Sequence, residues 1–279
     1  MSFLDYFKPV STWSSLRLRE FFEKHVPEDY NLVDVRLSAE YAEKHLPGAK
    51  LIPVDELQDR VEELDPAKPT ITYCTDGLRS RAAASVLQNA GFAEVHSLAG
   101  GIMAWEGLTA EGSPEPEMAY FAAVRTPEKQ VALAWYLEEG TRIFYREVAE
   151  LLQDREAASI FRELVTAEEH HKATLVALYE GLAGKPASGD FPRGLLAAEP
   201  TDQLMEGGVS VVKALGWTRG RQIRDILELA ISIETNAYDR YLILRRELEN
   251  ENSRRVFEVL SDEERRHLKK LTRLLEHFI

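Results

Sequence analysis

The chain has 279 residues with 34 basic and 47 acidic side chains, a net charge of −13 and a single cysteine. That length is comfortable for two domains that each bury a core, and the acidic balance argues against nucleic acid or an anionic membrane as a partner. One cysteine excludes an internal disulfide; no apolar run is long enough to span a bilayer, and the N-terminus, with Asp5, Lys8 and Pro9, lacks a signal-peptide pattern, so a cytoplasmic protein is expected.

Residues 1–108 alternate short β runs with helical segments, which predicts a parallel sheet wrapped by helices, an α/β domain. Asn31 to Val35 and Thr70 to Tyr73 are the clearest strands. The second runs directly into Cys74, and Thr75-Asp76-Gly77-Leu78-Arg79 follows before a helix expected to begin near Ser80. Such a loop can curl its backbone N–H groups toward the sulfur with a helix N-terminus behind them, an environment that, with Arg79, favours a nucleophilic cysteine and a bound anion. The competing role for a lone cysteine at a strand end is a buried structural one. The glycine, the arginine and the immediate strand-to-helix transition favour the reactive role.

Asp34-Val35-Arg36 after the first long strand, Leu46-Pro47-Gly48-Ala49 before the next, the Cys74 loop, and Gly100-Gly101 followed by Trp105 occur in the order of family landmarks, and residues 12–107 resemble a single-domain rhodanese. The resemblance implies that Cys74 takes sulfane sulfur from a small anionic donor such as thiosulfate, carries it as a persulfide and passes it to a thiol acceptor or cyanide. It implies a catalytic set of Cys74, Asp76, Gly77, Arg79 and Ser80. In that set the amides from Thr75 to Ser80 cradle sulfur or an oxyanion, and Arg79 orients the donor. Asp76 is an unusual negative charge for such a loop and would shift preference toward a neutral or thiol donor. The loop has the short length of sulfur transfer, whereas phosphatase relatives use a longer one; arsenate reduction is the competing chemistry.

Gly107 to Pro127 is the most linker-like stretch and divides the chain into a domain at 1–108, a linker at 109–125 and a helical domain at 126–279. Thr126 and Pro127 then read as a helix N-cap and first helical position. Four apolar stripes at helical spacing follow: Val131 to Leu152, Phe161 to Leu182, Leu227 to Leu248 and Phe257 to Phe278. Polar side chains interrupt the middle of each: Glu138, then Glu168 with His171, then Glu234, then Glu264 with His267. Together with Tyr145 and Tyr241 they form one pattern repeated at an offset of 96 positions (138 to 234, 145 to 241, 168 to 264, 171 to 267). The irregular stretch Gly181 to Gly220 joins the halves, with a short helix expected over Gln203 to Leu215.

Four carboxylates on core-facing stripes would repel one another and be costly to bury unpaired, and two divalent or trivalent cations reverse that sign. Glu-x-x-His puts both side chains on one helical face, so that the glutamate can bridge two ions while the histidine binds one. A carboxylate-rich, nitrogen-poor set suits iron or manganese better than structural zinc. A single Glu-x-x-His could be a chance solvated pair; duplication at a constant offset argues against chance. His170 points about 100° away around the helix and is expected at the surface or in a supporting role. The two tyrosines are either donors to a ligating carboxylate across the bundle or core side chains.

On these residues the region from about 120 to 279 resembles the rubrerythrin branch of the ferritin-like di-iron proteins, an all-α four-helix bundle. The resemblance implies two iron ions, with manganese or zinc as substitutes, held by Glu138, Glu168, His171, Glu234, Glu264 and His267. It also implies a homodimer. Two departures matter: the family's additional glutamate three residues after the third-helix ligand is Ala237 here, and its four-cysteine iron domain has no counterpart, so electrons for peroxide reduction would come from an external donor. The expected function is a sulfurtransferase coupled to a di-iron centre of oxidoreductase or peroxidase type. The alternative is a non-catalytic, iron-sequestering bundle with a rhodanese head as sulfur carrier or docking module.

Overall fold

A computed structural model describes residues 10–112, 126–195, 203–247 and 251–278. The chain divides into two compact units, Met1–Ser113 and Pro114–Ile279. Asp5, Lys8 and Pro9, most of the expected linker and Leu248 lie outside the described residues.

The first unit is a five-stranded sheet in the order β1-β5-β4-β2-β3, every pairing parallel. Its strands are β1 (Ser11–Trp13), β2 (Asn31–Asp34), β3 (Lys50–Leu51), β4 (Thr70–Tyr73) and β5 (Val95–Leu98), with helices α1 (Ser15–Lys24), α2 (Ser38–Glu43) and α3 (Leu78–Asn89). The central strand β4 is buried along its whole length, as a parallel strand covered on both faces must be. Alternate residues feed opposite faces: Val33, Val35 and Cys74 join one apolar cluster, Leu32, Ile71 and Tyr73 the other. At the end of β2 the buried Asp34 pairs with Arg36 at 2.7 Å, and Arg36 also donates to the carbonyl of Lys44 at 2.6 Å, which fixes the path around α2. Helix α3 begins at Leu78 rather than near Ser80, because Gly77 takes the left-handed conformation (φ 94°) and turns the chain one step earlier.

The second unit is helical: α4 (Pro127–Leu151), α5 (Arg155–Ala183), α6 (Val211–Thr218), α7 (Ile223–Glu247) and α8 (Glu251–Glu276). Thr126 has the extended backbone of an N-cap before Pro127, although its side chain makes no capping bond. Asp154 caps α5, its carboxylate accepting the Ala157 N–H at 2.9 Å, and the short link from α4 makes the two helices packed neighbours. Helix α7 packs along α8 in the same way.

The short helix expected over Gln203 to Leu215 is not what forms. A two-stranded antiparallel ribbon, β6 (Leu204–Met205) and β7 (Val209–Ser210), occupies its first half and α6 its second. Two consecutive glycines at 207 and 208, the latter at φ 69°, are poor helix formers. Ser210 then starts α6 by accepting the Lys213 N–H at 3.5 Å.

The helical core has two apolar layers, one around Phe144, Phe161, Leu227 and Leu271, the other around Leu137, Leu175, Leu244 and Phe257. Each fully buried side chain of this kind contributes roughly 2 kcal/mol. The polar residues of the repeated pattern belong to the helices between these layers. Among the described residues no helix is long and apolar enough to cross a membrane.

Candidate functional site

Cys74 stands where β4 ends, buried, with its sulfur receiving the Gly77 N–H at 3.1 Å. The loop faces that way because its carbonyls are tied behind it. Ile102 donates its N–H to the Cys74 carbonyl at 2.8 Å and Met103 to that of Thr75 at 3.1 Å, which leaves the amide of Gly77 for the sulfur. Gly101 permits that close approach: at φ 59°, a Cβ there would lie 2.3 Å from the Cys74 oxygen. The thiol in turn donates to Asp76 Oδ1 at 3.7 Å, and Asp76 also accepts the Leu78 N–H at 3.0 Å. That amide, more than anything else near it, holds Asp76 below the usual carboxylate range.

The other two loop residues point elsewhere. The guanidinium of Arg79 forms a two-pronged pair with Glu40 at 2.6 and 2.8 Å and also donates to the Thr75 hydroxyl. Ser80 is buried, its hydroxyl 2.8 Å from that of Ser97 and its carbonyl accepting from Thr72, so it anchors α3 to the sheet. Of the five residues expected here, Cys74, Asp76 and Gly77 converge on the sulfur, while Arg79 and Ser80 bind neighbours of the loop. Glu40, which the loop sequence alone does not signal, comes from α2.

In the bundle all six expected ligands come together. One donor atom each from Glu138, Glu168 and His171 lie within 4.8 Å of one another, as do Glu168, Glu234 and His267, and so do His171, Glu264 and His267. Glu168 belongs to two of these groups, and Glu264 belongs to one of them and to a fourth with Glu138 and Glu206. Both histidines present Nδ1 to the carboxylates: His171 to Glu138 at 3.3 Å, His267 to Glu234 at 3.2 Å. The tyrosines cross between halves. Tyr145 donates to Glu234 at 2.5 Å and Tyr241 donates to Glu138, so of the two roles open to them the structure has the carboxylate donor. His170 is exposed.

Electrostatics separates these groups into two kinds. Burial and the charge of Glu138 push Glu168 well above the usual carboxylate range, and burial and Glu234 do the same to Glu264. Burial also works against ionised Glu138, but His171 and the bond from Tyr241 hold it low; the bonds from Glu264 and Tyr145, with the charge of His267, do so for Glu234. Despite its burial, His171 is raised well above the usual imidazole value by Glu138 and Glu264. The oxygens of Glu168 and Glu264 are buried and meet only the carboxylates and imidazoles of the cluster itself, His171 Nδ1 lying 3.3 Å from each residue. Carboxylates left in that state are expensive unless a cation meets them, and a set of four glutamates and two histidines has the donor chemistry of an iron or manganese pair. The residues present therefore fit such a group.

Two further residues belong to this cluster. Glu263 meets His171 Nε2 at 2.9 Å and fixes the ring; its equivalent one repeat earlier is Ala167, so the duplication does not reveal it. Glu206, in the turn between β6 and β7, is completely buried with its carboxylate in reach of Glu138 and Glu264. It lies in the crossover, where no repeat points; an acidic residue set between Leu-Met and Gly-Gly was its only signal.

Comparisons with known proteins divide at the same place. The rhodanese-like domain family matches residues 18–108 and the rubrerythrin family matches residues 225–278. The uncharacterized protein YqhL of Bacillus subtilis is 38% identical over 76 residues, which span 27% of this chain and 60% of that protein. Thiosulfate sulfurtransferase GlpE of Coxiella burnetii is 36% identical over 87 residues, 31% of this chain and 81% of the enzyme. A solved rhodanese with anions from E. coli is 28% identical, covers 30% of this chain and 99% of its own, and superposes with a TM-score of 0.28.

Proposed function

Because the chain belongs to the rhodanese-like family through its N-terminal unit and carries a rubrerythrin-like domain with no four-cysteine iron motif in its 279 residues, we propose that it is a sulfurtransferase joined to a di-iron carboxylate centre of oxidoreductase type. The observation that carries the sulfur reading is the Gly77 amide aimed at Cys74 Sγ. The one that carries the metal reading is the buried pair Glu168 and Glu264, whose oxygens meet only the other carboxylates and imidazoles of the cluster.

At the loop, the thiol proton is lost to solvent past the exposed Asp76, and the Gly77 amide meets the negative charge left on sulfur. The thiolate attacks the outer sulfur of the donor. A new S–S bond forms, the donor's own S–S bond breaks, and its electron pair leaves with the remainder, sulfite in the case of thiosulfate. An acceptor thiolate or cyanide then takes the terminal sulfur and returns the electron pair to Cys74. With Asp76 beside the sulfur and Arg79 neutralised by Glu40, the loop suits a low-molecular-weight thiol persulfide better than the doubly charged thiosulfate.

In the bundle Glu138, Glu168, His171, Glu234, Glu264 and His267 would hold the two irons. Such a pair, when bound, supplies redox chemistry toward oxygen or peroxide. The tyrosines fix the carboxylates of Glu138 and Glu234, Glu263 orients His171, and the apolar layers keep water from the cluster. Electrons come from a separate donor.

Steady-state sulfur transfer to cyanide tests the first half: the wild type should turn over many times, faster with a thiol persulfide than with thiosulfate, and Cys74→Ser should be inactive. Activity surviving in Cys74→Ser would refute the assignment. Repeated peroxide consumption with a chemical reductant would support catalysis in the bundle, and a single equivalent would mark iron sequestration instead.

A further inference from the structure

We propose that Glu206 is a seventh metal ligand, delivered to the bundle by the crossover instead of by a helix, and that it makes the two metal positions unequal. The inference rests on the dinuclear reading above and adds one donor to it.

The third helix leaves room for such a donor. Position 237, one turn beyond Glu234 on α7, is a completely buried alanine. Four residues further on, the Tyr241 hydroxyl that donates to Glu138 lies 3.2 Å from Glu206 Oε1, and Arg240 donates to the same oxygen at 3.4 Å. The other oxygen, Oε2, is buried without a hydrogen-bond partner, and the carboxylate lies with those of Glu138 and Glu264. One anchored oxygen and one open oxygen, on a carboxylate grouped with two others, is the disposition of a metal ligand. A residue serving only to pair with Arg240 would not need the open one.

The backbone is built to bring Glu206 there. At Gly140, on α4 two residues past Glu138, a Cβ would lie 2.1 Å from the Leu204 carbonyl oxygen, so only glycine lets β6 press onto the helix. The next residue, Thr141, accepts the Glu206 N–H on its hydroxyl at 3.3 Å. The crossover is thus seated against the same helix that carries Glu138, and Glu206 would add its carboxylate to the ligands on the Glu138 side.

The test is anaerobic Co(II) titration of the metal-free, full-length protein, followed by equilibrium dialysis and visible d–d absorption, in wild type, Glu206→Gln, Glu206→Asp and Glu234→Gln. The wild type should bind two Co(II) per chain. Glu206→Gln should weaken one step by about 10- to 100-fold, leave the other nearly unchanged and alter the spectrum of the weakened step alone. Its metal-free form should melt lower than wild type, since Arg240 loses the partner of a buried ion pair, so selectivity between the two binding steps is the deciding readout. Glu206→Asp keeps the charge opposite Arg240 but withdraws the oxygens by one methylene, and should show the same selective loss. Glu234→Gln should weaken the other step. Two unchanged steps with a wild-type spectrum in both Glu206 variants would overturn the proposal. So would equal weakening of both steps, the mark of a scaffold residue. A wild type that binds no Co(II) would instead refute the dinuclear reading itself.

Discussion

Glu40 governs how much positive charge the Cys74 loop can offer a donor. Its bonds from Arg79, ahead of the one from Thr75, hold its pKa at about 2 against an ordinary 4.5. A carboxylate depressed in the folded state adds stability that is fully present above the unfolded value and is lost as pH falls through the folded one. The stability difference between wild type and Glu40→Gln should therefore be constant above about pH 5 and disappear as pH falls toward 2, which urea unfolding at several pH values will show. The same substitution frees Arg79. KM for thiosulfate should fall, on the order of tenfold at low salt, and the gain should fade at high salt. An unchanged KM would mean that the Arg79 charge does not reach the donor.

Helices set the spacing of the carboxylate–histidine cluster, and their ends set the helices. Asp154 caps α5 two turns before the stripe that leads to Glu168, so Asp154→Ala should cost about 1 kcal/mol and lower the melting temperature of the metal-free protein by a few degrees. What could be foreseen in the sequence follows the same physics. Periodicity placed Glu138, Glu168, His171, Glu234, Glu264 and His267 on core faces, and the constant offset paired them, because helical geometry converts spacing directly into direction. Cys74 and Gly77 were visible for a similar reason: a strand that runs into a glycine-bearing turn has few places to put its amides. Glu40 and Glu206 were not visible, since each reaches its site through tertiary contact across dozens of residues and neither obeys a local period. The ribbon at β6 and β7 takes the first half of the expected short helix because its apolar residues fit either period and the two glycines disfavour a helix.

At the scale of the whole molecule each unit has its own core and its own chemistry. The first brings a loop of parallel-sheet origin to one sulfur; the second encloses charged side chains between two apolar layers. In the metal-free bundle burial and the charges of Glu138 and Glu234 raise Glu168 and Glu264, so cations compete with protons there and loading should release more protons as pH falls, measurable with an indicator dye in weakly buffered solution. Ions that bind only the folded bundle also stabilise it, by about 2.7 kcal/mol at a free concentration a hundredfold above Kd. The most direct measurement is iron content per chain after anaerobic Fe(II) loading and removal of excess metal, for wild type beside a Glu168→Gln/Glu264→Gln variant. Two irons per wild-type chain and a large loss in the variant are the predicted result. Less than one iron per wild-type chain, or equal iron in both proteins, would contradict it.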